Sequence, residues 1–74
     1  MGPGHLISVT TPSSAGVFVT ISYFVAEQDA KRAINIIKNR IATPIDEVAA
    51  VSRISEEHLA ALGMAPGDFR RADG

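Results

Sequence analysis

Gly16-Val17-Phe18-Val19-Thr20-Ile21-Ser22-Tyr23-Phe24-Val25-Ala26 runs into Glu27-Gln28-Asp29-Ala30-Lys31-Arg32-Ala33-Ile34-Asn35-Ile36-Ile37-Lys38-Asn39-Arg40-Ile41, and the reading of this stretch decides the fold. Its first part alternates. Val17, Val19, Ile21, Tyr23 and Val25 share one face of a strand, and Phe18, Thr20, Ser22, Phe24 and Ala26 share the other. The β-branched and aromatic content favours a strand over a helix. The first face is wholly apolar and is expected to face the core. On the second, Phe18 and Phe24 bracket Thr20 and Ser22. Two phenylalanines are unusual on a fully solvated face, so this one is expected to be partly covered by a helix or a second subunit. Phe18, Thr20 and Phe24 are the candidate interface residues.

From Glu27 the period changes. Ala30, Ala33, Ile34, Ile37 and Ile41 recur at three- and four-residue intervals, the stripe of an amphipathic helix over about 29–41. Asp29 is placed to cap it, and Lys38 and Arg40 suit the negative end of its dipole. Lys31, Arg32, Asn35 and Lys38 gather on the polar side, a candidate nucleic-acid face.

Upstream, 6–11 alternates like a strand, and Pro12-Ser13-Ser14-Ala15-Gly16 supplies turn residues, so 6–11 and 17–26 read as an antiparallel hairpin. Residues 1–5 resemble a processing scar and are set apart from the domain, which spans 6–69 and leaves 70–74 as a frayed tail. Downstream, Thr43-Pro44-Ile45-Asp46 carries a cap, a proline at the first helical position and an acid near the third. A helix over about 44–53 is expected from it. Ser55-Glu56-Glu57 starts another over about 55–62, which Gly63 ends. The expected fold is α+β in the order ββααα, with the helices on one sheet face.

The chain has 74 residues, enough for one small domain, and no cysteine. A core of this size gains from a disulfide, a metal or a partner subunit, and the first is excluded. A homodimer is therefore expected. The formal net charge is −1, which gives no global attraction to nucleic acid or an anionic membrane. No secretory signal is visible, and the longest apolar run falls well short of a membrane span, so a cytoplasmic location is expected.

Chemistry-bearing groups are sparse. His5 and His58 are the only histidines, and neither stands at metal-ligand or nucleophile–base spacing from a second group. No catalytic residue, metal site or cofactor is expected. Residues 45–62 have the spacing of a helix-turn-helix, but Arg53 takes the place of the turn glycine. Glu56 and Glu57 would also face phosphate. The basic side of helix 29–41, with Phe18 and Phe24, offers a weak single-strand platform.

Arg53-Ile54-Ser55-Glu56-Glu57-His58-Leu59-Ala60-Ala61-Leu62-Gly63-Met64-Ala65-Pro66-Gly67-Asp68-Phe69 resembles the tail of the small YjiS-like proteins of proteobacteria. Ser55, Leu59, Leu62, Gly63, Met64, Asp68 and Phe69 carry the likeness. Ala61 departs from the family's acid and Pro66 from its arginine, and the upstream tryptophan and arginine-rich run are absent. The resemblance implies a bacterial protein, with RNA-linked roles in some members. Taken together, the expectation is a bacterial protein-interaction or regulatory module acting as a homodimer. The alternative is a weak RNA or DNA binder through the basic helix face.

Overall fold

The computed structural model describes residues 2–72. The elements are β1 (Gly4–Pro12), β2 (Phe18–Val25), α1 (Ala30–Arg40), β3 (Glu47–Ile54), α2 (Glu56–Ala61) and β4 (Phe69–Arg71). The strands form one antiparallel sheet in the order β3-β1-β2-β4. The fold is α+β, but its order is ββαβαβ. This corrects the expected ββααα, because the segment read as a helix over 44–53 is β3 and the chain's last element is a strand.

The hairpin forms where expected, with pairs from His5–Val25 to Pro12–Phe18. Gly16 turns the connection at φ 75°, and the Ser13 N–H donates to the Val17 carbonyl at 2.8 Å. The ladder begins earlier than expected. Gly4 pairs with Ile54 and His5 with Arg53. The His5 ring is buried, and its Nδ1 lies 3.0 Å from the Glu27 carbonyl.

α1 is capped by Asp29, whose Oδ1 accepts from the Lys31 and Arg32 N–H groups at 2.8 and 3.2 Å. Its stripe buries Ala33 and Ile37 against Ile7, Val9 and Val25, with Ile34 and Ile41 packed around them. α2 lies on the other sheet face. Leu59 is buried with Ala26 and Met64 beside Phe24, Ile54 and Leu62. Gly4, Leu6 and Phe24 share that face, opposite Ile7 and Val25. The two helices therefore sandwich one end of the sheet, and the expectation that all helices share a face does not hold.

Both outer strands are entered through turns with the same proline and aspartate placement and the same hydrogen bonds. In Thr43-Pro44-Ile45-Asp46 and in Ala65-Pro66-Gly67-Asp68, proline sits second and aspartate fourth. In each, the Asp N–H donates to the first residue's carbonyl at 3.0 Å. In each, the Asp Oδ2 accepts from the first residue's N–H, at 2.9 Å for Thr43 and 2.8 Å for Ala65. Proline favours the second position of such turns. Gly67, at φ 85°, supplies the positive dihedral that a type II turn needs third, while Ile45 has none. The aspartate closing the first turn makes half of a capping box, which is why the segment resembles a helix start.

The Thr43 backbone N–H holds the Asp46 carboxyl below its ordinary range, with the Thr11 hydroxyl adding to the effect. The folded state thus favours ionised Asp46. Its contribution is present above the unfolded carboxylate pKa of about 3.9 and is lost as pH falls through the lower folded value. Asp46→Asn keeps an oxygen acceptor but removes the charge. Thermal melts at descending pH should therefore show a shallower loss of stability below about pH 4 in this variant than in the unaltered protein. Parallel acid limbs would refute this.

Candidate functional site

The strands outrun the helix above them. α1 has 11 residues and spans about 16 Å, whereas the nine residues of β1 span about 30 Å. The hairpin tip therefore projects beyond α1, in a chain whose principal extents are 40 × 22 × 18 Å. On β2 the expected core face is covered only toward Val25. Val19 is 51 % exposed, and Val17 just before the strand is 58 % exposed.

The three candidate interface residues part company. Phe24 is half-buried under α2, and its ring centroid lies 5.2 Å from that of His58. Its cover comes from the same chain. Thr20 is exposed, and its hydroxyl lies 3.1 Å from that of Thr10 across the hairpin. Phe18 is 69 % exposed, and with Val17 and Val19 exposed on the opposite face the tip is apolar on both sides. Alternation predicts a core-facing position for Val17 and Val19, which the short reach of α1 leaves exposed. No Lys, Arg, Asp or Glu occurs from Leu6 to Ala26, so the exposed tip carries no charge.

The outer edge of β2 is only partly occupied. β4 pairs with Tyr23, Phe24 and Val25. One residue further, the Ala72 N–H donates to the Ser22 carbonyl at 2.8 Å. From Ile21 back to Phe18, no strand among the described residues lies alongside. The sheet's other edge is β3, which differs in kind. Glu47 and Arg53 flank it, and its register with β1 shifts at Val51, which is left unmatched. Charges and bulges are the usual devices that keep an edge from pairing.

Lys31, Arg32, Asn35 and Lys38 are all exposed on α1. Arg32 and Asn35 line a groove of about 540 Å³ with Ile36, Asn39 and Arg40, facing Glu27, Asp68 and Phe69. Lys38 borders a separate cleft of about 340 Å³ beside Thr43 and Asp46. Lys31 lines neither. Phe18 and Phe24 occupy the sheet face opposite α1, so the joint stacking platform expected of the helix and the phenylalanines does not form. The helix-turn-helix reading also fails, because its first helix is β3.

The residues resembling the YjiS-like tail have structural duties here. The Ser55 Oγ accepts from the His58 N–H at 3.1 Å, and Leu59 and Met64 are buried. Gly63 takes a φ of 70°, and Asp68 closes the second proline turn. Among the described residues no three His, Cys, Asp or Glu side chains stand close enough to hold a metal. Nor is any described helix long and apolar enough to cross a membrane. No family model, curated protein or solved structure matches the chain.

Proposed function

We propose that this chain is a non-catalytic protein-interaction module that works as a homodimer through the projecting tip of its hairpin. The observation that carries this reading is the exposed apolar run Val17-Phe18-Val19, on an uncharged stretch of strand edge beside which no strand among the described residues lies. An uncharged apolar edge is a ready template for strand pairing, and soluble chains normally blunt such edges or use them. The small core and the absence of cysteine make the gain from a second subunit worthwhile.

Sedimentation across a concentration series tests the reading. The unaltered protein should move from monomer toward dimer as concentration rises. Phe18→Asp should stay monomeric, and because Phe18 is exposed its folding stability should stay within about 0.5 kcal/mol of the parent. A monomer at every concentration, or a dimer indifferent to Phe18→Asp, would overturn it.

A further inference from the structure

The backbone hydrogen bonds of β2 fix which of its groups are free, and they do so with one parity. In an antiparallel ladder the N–H and C=O of a residue point to the same side, and successive residues alternate sides. Ala26 donates to the Asp68 carbonyl at 2.9 Å and accepts from the Gly67 N–H at 2.8 Å, both on the β4 side. Ser22 accepts from Ala72 on that side too. Val17, of the other parity, accepts from Ser13 on the β1 side. The next outward-pointing residues are therefore Thr20 and Phe18. Among the described residues no hydrogen bond reaches either backbone from that side.

We infer that two copies of the chain join by antiparallel pairing of their β2 edges about a two-fold axis at Val19, a register that rests on the homodimer reading above. In it, Phe18 of each copy exchanges both backbone hydrogen bonds with Thr20 of the other, and every free outward group of the two residues is satisfied. The two Val19 residues become a non-hydrogen-bonded pair, the arrangement that brings opposed Cα atoms closest, about 4.5 Å apart. The two Phe18 rings lie diagonally on one face, within reach of each other. Shifting the axis to Thr20 would set Phe18 against Ser22, whose outward carbonyl already accepts from Ala72. Shifting it to Phe18 would leave Thr20 unpaired.

The same features favour a second copy over a foreign extended peptide. Ala72 occupies the edge at Ser22, so a long straight strand laid along β2 would collide with it. A second copy avoids this because its own chain turns off the strand line at Gly16, where the Gly16 N–H donates to the Ser13 carbonyl at 3.2 Å. The resulting contact is short, so the dimer is reversible and dependent on concentration.

The absence of native cysteine makes the register directly readable. Val19→Cys, Phe18→Cys and Thr20→Cys variants are each oxidised mildly, run without reductant, and checked for folding by circular dichroism. Val19→Cys should cross-link to a dimer, because its opposed Cα atoms fall within disulfide reach, whereas Phe18→Cys and Thr20→Cys sit on diagonals of about 7–8 Å and should stay monomeric. If Phe18→Cys or Thr20→Cys links in preference, or all three link equally, the register falls. If the unaltered protein sediments as a dimer but Val19→Cys does not link, the register falls and the homodimer stands. If the unaltered protein stays monomeric at its highest soluble concentration, both fall.

Discussion

Replacing Gly4 with alanine is expected to remove a large part of the protein's stability. A Cβ at this position would run into the Val25 carbonyl oxygen and lie 2.8 Å from the Leu59 Cδ1. The first obstacle is backbone inside the β1–β2 ladder and cannot rotate away. The second is a fully buried side chain held between α2 and the sheet. Relief requires β1 to shift from β2, which strains the ladder that holds the fold. Overpacking of this kind costs about 1–3 kcal/mol and sometimes more. A chain of this length has about 4–11 kcal/mol in all, so the loss is a substantial share. Gly2 is the natural control. The atoms nearest an added Cβ there all belong to the exposed Gln28 side chain, which can swing aside. Gly2→Ala should therefore stay within about 0.5 kcal/mol of the parent. Urea denaturation of the two variants side by side decides the matter. Equal midpoints would mean that Gly4 does not sit in the ladder.

The pair also bears on residues that sequence alone sets aside. Gly-Pro-Gly has no periodicity, and a glycine that matters because nothing else fits looks the same as one that matters to nothing. Only the placement of Leu59 over Gly4 tells them apart, and that contact joins residues far apart in the chain. The reverse holds for the long strand and α1, which were legible because period and capping agree within a few neighbouring residues. Asp29, Ala33 and Ile37 take their expected roles.

β3 was not legible, and the reason is specific. In Thr43-Pro44-Ile45-Asp46 the Thr43 N–H donates to the Asp46 carboxylate as it would at a helix start, and Ala49-Ala50 suits a helix locally. What decides is the bare outer edge of β1, which gains a ladder from Gly4–Ile54 to Thr10–Glu47. α1 then packs over both strands. Tertiary pairing overrides a weak local preference. β4 escaped for a simpler reason, since three residues carry no period. The candidate surface was half legible. Alternation put Phe18 and Phe24 on one face, as they are. It did not show that α2 covers Phe24, because the side on which α2 lands depends on β3 being a strand. Nor did it show that α1 stops short of Val19, because helix and strand advance at different rates per residue.

Leu59→Ala should be among the most damaging single substitutions outside the α1 core, at about 2–5 kcal/mol. α2 has only six residues, too few to hold a helix by propensity. Its Ser55 cap is worth about 1 kcal/mol. What fastens it to the sheet is Leu59, its one buried side chain. The cost should fall high in the range, because the cavity has little to collapse with. Gly4 below it has no side chain, and Ala26 beside it has only a methyl. Of the buried neighbours only Met64 has a flexible side chain, and Phe24, Ile54 and Leu62 are also engaged at the rim. Leu59→Met keeps the volume and should cost less than about 1.5 kcal/mol, so a wide gap between the two variants in urea denaturation is the expected result. Near-equal midpoints would mean that α2 is held by something other than this contact. The tip offers a second readout in the same samples. Leu59 lies at the Gly4 end of the sheet and Phe18 pairs with Pro12 at the other. Under conditions where Leu59→Ala remains folded, its self-association should match the parent's, because folding is anchored at one end of the hairpin and the proposed pairing at the other.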